Sequence, residues 1–442
     1  MTRKTLTLLA ILMLAASASA QDEGPLLDLE HVMRAALGTN EIIAQAGEEV
    51  NKSELLRRMA WSALIPSSSF STALTRNDKA QVIDFSLPGM ENESGGGFTI
   101  TPLYDWNMSF NVSQPVYIGG RSFKALRQSG INIGLSKDNL DTATRETLLG
   151  VAAGYARVLK AQRNLAIDRE ALELTRRQLR QAEVLFKAGE AVRTSVLRAE
   201  SGVAGAELQL IFSENELAKA KEDLAVLCGI KPPFRLKEIE QVPTLPAGDV
   251  AALVEFGLKE RSDLLAAEKQ MEIADLNIGI AAGERLPSVF LNFNYTRQRA
   301  AFPSSAFWKL ILNVSVPIYD GGLSAVNKAT AKATYRQAVL QRQLLRKQAG
   351  AEITRAYLDF ASANKALQTS KKAVETARRA YEDIERFYKV GEATDLDVQD
   401  GRQQLIEAEK ALSNLTTDEV LALFSLRKNL GLPVVDIQNQ EK

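Results

Sequence analysis

The side chains that carry most protein chemistry are scarce in this chain, which holds one histidine, His31, and one cysteine, Cys228. An enzyme needs a constellation of nucleophile, base and charge-stabilising groups, and neither that nor a metal-ligand spacing can be found here. The glycine pairs Gly119-Gly120 and Gly321-Gly322 each follow a strand-like segment and read as turns, not as a phosphate-binding loop. Cys228 has no partner for an intramolecular disulfide and reads as a small apolar helix residue. Asp397 and Asp400, taken alone, are acids near the start of a helix, where the dipole favours them. The residues exclude an enzyme, and no cofactor or metal is expected.

What remains is architecture, and the chain writes it twice. Trp106-Asn-Met-Ser-Phe-Asn111-Val112-Ser113-Gln-Pro115 recurs as Trp308-Lys-Leu-Ile-Leu-Asn313-Val314-Ser315-Val-Pro317, an offset of 202 residues. The same offset carries Tyr117-Ile-Gly-Gly120 onto Tyr319-Asp-Gly-Gly322, Arg176-Arg177 onto Arg378-Arg379, and Phe186-Lys-Ala-Gly189-Glu190-Ala191 onto Tyr388-Lys-Val-Gly391-Glu392-Ala393. Upstream, Pro66 matches Pro287 at an offset of 221, so the first copy has 19 extra residues between Asn77 and Asp105, with the loop-like run Glu-Asn-Glu-Ser-Gly-Gly-Gly at 91–97. The organisation is therefore residues 21–230 as the first repeat, a proline-rich linker at 231–248, and 249–442 as the second repeat.

Residues 1–20 combine Arg3 and Lys4, an apolar run from Leu6 to Ala16 and a small-residue end, Ala18-Ser19-Ala20, the pattern of a secretory signal peptide. No later stretch approaches the ~18 uncharged apolar residues of a spanning helix, so a membrane would have to be crossed by strands. Lys+Arg and Asp+Glu both number 54, which gives no pull toward nucleic acid.

Each copy predicts one β-hairpin. Trp106, Met108, Phe110 and Val112 alternate with Asn107, Ser109, Asn111 and Ser113, and the second copy repeats the alternation from Trp308 to Ser315 with Ile311 out of pattern. The preceding strands alternate likewise: Leu291, Phe293 and Tyr295 against Asn292, Asn294 and Thr296, and more weakly Phe70, Thr72 and Leu74. One apolar face, one wet face and tryptophans near the rim fit a transmembrane barrel, which needs about eight strands, so four per chain must be pooled with other copies. The remainder predicts long helices. Ser122 to Leu185 has no proline, enough for a rod of roughly 95 Å. Val151, Val158, Leu165, Leu172, Leu179 and Phe186 recur every seven residues, as do Ile353, Phe360, Leu367, Val374, Tyr381 and Tyr388. Gly189 and Gly391 end the outgoing helices at hairpin tips, and Thr194 and Asp395 are expected to cap the returning ones.

This order of hairpin strand, Pro-x-Tyr-x-Gly-Gly turn, long helix, Phe/Tyr-Lys-x-Gly-Glu-Ala tip and return helix, written twice, resembles the TolC-like outer-membrane efflux protein family over nearly the whole mature chain. The resemblance implies a mixed fold: a homotrimer whose four strands per chain close a twelve-stranded transmembrane β-barrel in outer-membrane lipid, continued by a long periplasmic α-helical barrel. It implies a passive exit duct that docks a periplasmic adaptor protein and an inner-membrane transporter through the tips at Gly189, Glu190, Gly391 and Glu392. Trp106 and Trp308 would mark the membrane rim. Carried over one by one, Tyr388 matches the family's gate tyrosine, and Asp397 and Asp400 match the acids that ring the periplasmic constriction. Ala393 departs where an arginine can lock the gate, and Ser195 where the first tip can offer an aspartate. The alternative is a periplasmic coiled-coil adaptor or scaffold, which would share the signal peptide and heptads but has no need of two amphipathic hairpins. The cargo leaves no mark in the sequence.

Overall fold

The computed structural model describes residues 24–83, 98–239, 244–246, 248–298 and 305–435; the expected signal peptide, 1–20, lies outside them. In chain order the elements are β1 (Leu26–Leu27), α1 (Leu29–Thr39), α2 (Glu41–Ser62), β2 (Ser67–Arg76), β3 (Gln81–Ile83), β4 (Phe98–Thr101), β5 (Tyr104–Ile118), α3 (Arg121–Lys187) and α4 (Arg193–Cys228). The second half runs β6 (Arg235–Leu236), α5 (Val250–Glu260), α6 (Ser262–Gly283), β7 (Ser288–Gln298), β8 (Ser305–Ser315), α7 (Leu323–Lys389) and α8 (Asp395–Asn429). The chain divides into two compact units, and each takes segments from both repeats: 48–138 with 265–344, and 139–264 with 345 onward and the residues up to 47.

In the strand-bearing unit, both expected hairpins form and join into one antiparallel sheet in the order β2-β5-β7-β8. Register places Phe70, Phe110, Tyr295 and Trp308 in one cross-strand row, and Val112, Phe293 and Leu310 in another. Because side chains alternate along each strand, the opposite face is built from Ser71, Ser109, Asn111, Ser113, Asn292, Asn294 and Thr296. These bond to one another: Ser71 Oγ and Ser109 Oγ lie 2.7 Å apart, Ser113 Oγ donates to Asn292 Oδ1 at 2.8 Å, and Asn294 donates to Asn111. Ile311 falls on this wet face, opposite Asn292. The strands β2 and β8 are the ends of the sheet, each paired on one side only. The extra segment of the first copy is not wholly loop. It contributes the short antiparallel pair β3–β4, and its last residues, Tyr104 and Asp105, begin β5. The glycines of the post-strand turns, Gly119, Gly120, Gly321 and Gly322, all have positive φ. At Gly119 a Cβ would also meet the carbonyl oxygen of Gly283 at 2.1 Å, so no larger residue fits.

The helical unit centres on an apolar core in which the heptad residues Val151 and Val158 of α3 pack with Val32, Met33 and Ala36 of α1, Leu224 of α4 and Phe424 of α8. Cys228 is buried in this core, where desolvation pushes its thiol pKa up. The His31 backbone N–H donates to Asp28, the cap of α1, at 2.7 Å. Within the described part of the linker, β6 pairs in parallel with β1. Tyr155 of α3 holds that pair: its hydroxyl donates toward the carbonyls of Leu27 (3.1 Å) and Lys237 (2.6 Å), and burial strongly raises its pKa. In the second copy Ile353, equivalent to Val151, anchors a separate cluster with Leu253, Leu426 and Leu430. The repeat persists at the level of contacts. Arg176 of α3 pairs with Glu207 of α4 at 2.9 Å, and their counterparts 202 residues on, Arg378 and Glu409, pair likewise.

Candidate functional site

Both tips are built on the same backbone. Gly189 and Gly391 have φ +81, a left-handed conformation that lets each outgoing helix stop within one residue. The closing hydrogen bonds correspond. Gly189 N donates to Phe186 O at 3.0 Å and Glu190 N to Leu185 O at 2.9 Å, while Gly391 N donates to Tyr388 O at 3.2 Å and Glu392 N to Phe387 O at 2.9 Å. Glu190 and Glu392 are exposed just beyond the glycines.

The returning helices begin differently, and in neither is the cap where the sequence placed it. Helix α8 is capped by Thr394, not Asp395. The Thr394 hydroxyl accepts from Asp397 N at 3.3 Å, while the Asp397 carboxylate accepts from Thr394 N at 2.7 Å and from its hydroxyl at 2.6 Å, a reciprocal capping box. In α4 the equivalent position is Val192, which has no side-chain acceptor, and Thr194 lies inside the helix. The reason is spacing. A cap must reach the N–H two or three residues on, and only Thr394 has an acid three residues ahead that can return the bond.

Asp395, displaced from the cap, becomes the first helical residue and accepts the Tyr388 hydroxyl at 2.6 Å. Burial, then this hydrogen bond and the carboxylate's charge, push the Tyr388 pKa up to about 12. Asp397 moves the opposite way, because hydrogen bonds from the Thr394 side chain and backbone hold it below the usual carboxylate range. Asp397 and Asp400 are both exposed and one turn apart on α8. The structure thus joins Tyr388 to Asp395 and leaves Asp397 and Asp400 facing solvent. Ser195 lines the same small cavity, about 30 Å³, as Tyr388 and Asp395, so the two tips meet there.

That cavity includes a residue the sequence reading missed, Arg402 of α8. Its Nη1 donates to Thr175 Oγ1 at 3.1 Å and to Gln178 Oε1 at 2.5 Å, both on α3. Burial pushes its pKa down, and among the described residues no carboxylate pairs with it. The available signal was a charge one turn after buried Val398, on the inward stripe of α8. Trp106 and Trp308 belong to the other unit. They lie on the apolar face of the sheet, Trp106 opposite Leu74 and Trp308 opposite Tyr295, and Trp308 stacks on Phe293 with ring centroids 6.4 Å apart.

Comparison with known proteins meets this geometry over most of the chain. The profile of the family described as outer membrane efflux protein matches residues 32–230 and 253–432. The outer membrane protein TolC of Vibrio cholerae serotype O1 is 29% identical over 313 residues, covering 66% of this chain and 70% of that protein. The outer membrane efflux protein BepC of Brucella suis biovar 1 is 21% identical over 344 residues, 76% of this chain and 75% of its own. A solved structure of CusC, described with reference to transmembrane channel formation, superposes with a TM-score of 0.78 at 18% identity, over 94% of this chain and 96% of that one.

Proposed function

Because the chain belongs to the outer membrane efflux protein family, and is thus an outer-membrane exit duct and not a soluble coiled-coil adaptor, we propose that it works as a homotrimer whose periplasmic tips dock an adaptor and an inner-membrane pump. One observation carries the trimer: a four-stranded sheet with an apolar face, a hydrogen-bonded polar face and one-sided edges at β2 and β8. In lipid, unpaired edge amides are too costly to leave open, and four strands are too few to close on themselves. Pairing β8 of one copy with β2 of the next satisfies both edges, and three copies make twelve strands. The apolar face then meets outer-membrane lipid, with Trp106 and Trp308 toward its rim. Native mass spectrometry in detergent is expected to give three chains per particle, and a stable monomer overturns the reading.

The tips suit partner docking because each exposes apolar residues around its glycine: Phe186, Val192 and Leu197 at the first, Phe387, Val390 and Leu396 at the second. Gly189, Glu190, Gly391 and Glu392 form the contact surface. The gate reading assigns closure to Tyr388, fixed by Asp395, and cation attraction to Asp397 and Asp400, six carboxylates around the opening of a trimer. Ala393 contributes no ion pair. In planar bilayers, Asp397→Ala with Asp400→Ala is expected to reduce cation selectivity and block by multivalent cations, with Ser195→Ala near wild type. Unchanged selectivity and block would return both acids to helix-start roles alone.

A further inference from the structure

The apolar face of the sheet is not uniformly apolar. Along β2 it carries Phe70, Thr72, Leu74 and then Arg76; along β7 it carries Leu291, Phe293, Tyr295 and then Arg297. Register fixes these positions: Arg76 pairs with Tyr104, and Arg297 with Met108 on one side and Ala306 on the other, all members of the apolar rows. Both arginines are exposed and stand at the strand ends remote from the helices. The rest of that face, among the described strand residues, carries no charge. The strand charges Asp105 and Lys309 alternate onto the wet face, Lys309 opposite Asn294. Neither arginine pairs with a carboxylate among the described residues; the Arg76 guanidinium instead lies over the Tyr104 ring, 5.7 Å from its centroid.

A guanidinium on the lipid side of a barrel is costly at the bilayer midplane and nearly free at the interface. Two of them, each beside tyrosine or tryptophan and both at one end of the face, therefore define a level in the membrane as well as a charge. The aromatic rings sit where headgroups begin, and unpaired guanidiniums there favour phosphate, which they grip through paired N–H groups. We propose that Arg76 and Arg297, on the strands either side of β5 and four residues apart in register along it, each hold the phosphate of an anionic lipid headgroup on the outer surface of the barrel, at the end of the sheet away from the helices. The proposal rests on the reading that this face meets lipid. Closure as a trimer would repeat the pair three times around the rim.

Tryptophan quenching by brominated lipid tests both levels separately. The trimer carrying Trp61→Phe, so that Trp106 and Trp308 report alone, is placed in phosphatidylcholine vesicles containing either brominated phosphatidylcholine or brominated phosphatidylglycerol. The anionic lipid is expected to quench at a lower mole fraction, with enrichment of about fivefold per guanidinium. Arg76→Gln with Arg297→Gln should equalise the two lipids, whereas the double lysine variant retains most of the preference. Equal quenching in the parent protein, or a preference that survives the glutamine variant, overturns the site. Loss of the preference on adding inorganic phosphate at constant ionic strength would overturn the lipid as occupant. Failure of brominated phosphatidylcholine to quench at all would instead overturn the lipid-facing assignment beneath it.

Discussion

The two helical tips share a backbone and differ in chemistry. Gly189 and Gly391 adopt the same φ, and the closing hydrogen bonds correspond one to one. Yet one returning helix starts at a bare Val192 and the other at Thr394, tied to Asp397, with Asp395 holding Tyr388. The duplicated wall, with its heptads, tip glycines and Arg–Glu pairs, is kept in both copies because packing demands it of both. The polar network of Tyr388, Thr394, Asp395 and Asp397 has no counterpart at the first tip, and the proposed gate is assigned to the second tip on that difference.

The strongest way to break this contrast is Gln178→Ala, which strips the half-buried Arg402 guanidinium of an acceptor supplied by the first hairpin. Hydrogen bonds to charged groups contribute about 1.5–3 kcal/mol. Hydrogen exchange should therefore speed up at the second tip although the change is made in α3, and protection confined to wild-type values would make the tips independent. A smaller effect is expected of Thr394→Ala, about 1 kcal/mol of local stability at the second tip, against nearly none for Thr194→Ala, which removes no cap. Equal losses would erase the distinction. The smallest effect is set by pH. Asp397 is held below its unfolded pKa, so its contribution is complete above the ordinary carboxylate range and fades as pH falls below about 4. Exchange at the second tip should rise through that window relative to the first, whose N-cap carries no titratable group. Parallel curves would show the capping box to be inert.

The strand faces were legible because alternation has a period of two, and one residue's slip would have put Trp106 and Asn111 on the wrong sides. Helices α3 and α7 were legible from their lack of proline and their heptads. The caps were misread by one and two residues because Thr394 and Asp395 are both good cap residues in sequence, and only the geometry of the reciprocal bond with Asp397 chooses between them. β1 and β6 are two residues each, too short for any period, and depend on Tyr155 reaching both. Arg402 escaped notice because a single arginine on a helix ordinarily reads as solvated. Its role depends on Thr175 and Gln178, more than two hundred residues earlier.

The one-sided edges of β2 and β8 also bear on inheritance. In the proposed ring each chain lends an edge to one neighbour and borrows one from the other, so a subunit with a damaged strand spoils a channel that its partners would otherwise complete. In a cell expressing sound and faulty copies together, the share of intact rings falls as the cube of the sound fraction. Lesions in β2 or β8 should therefore behave as dominant alleles, whereas a lesion that prevents the chain from reaching the membrane at all should be recessive.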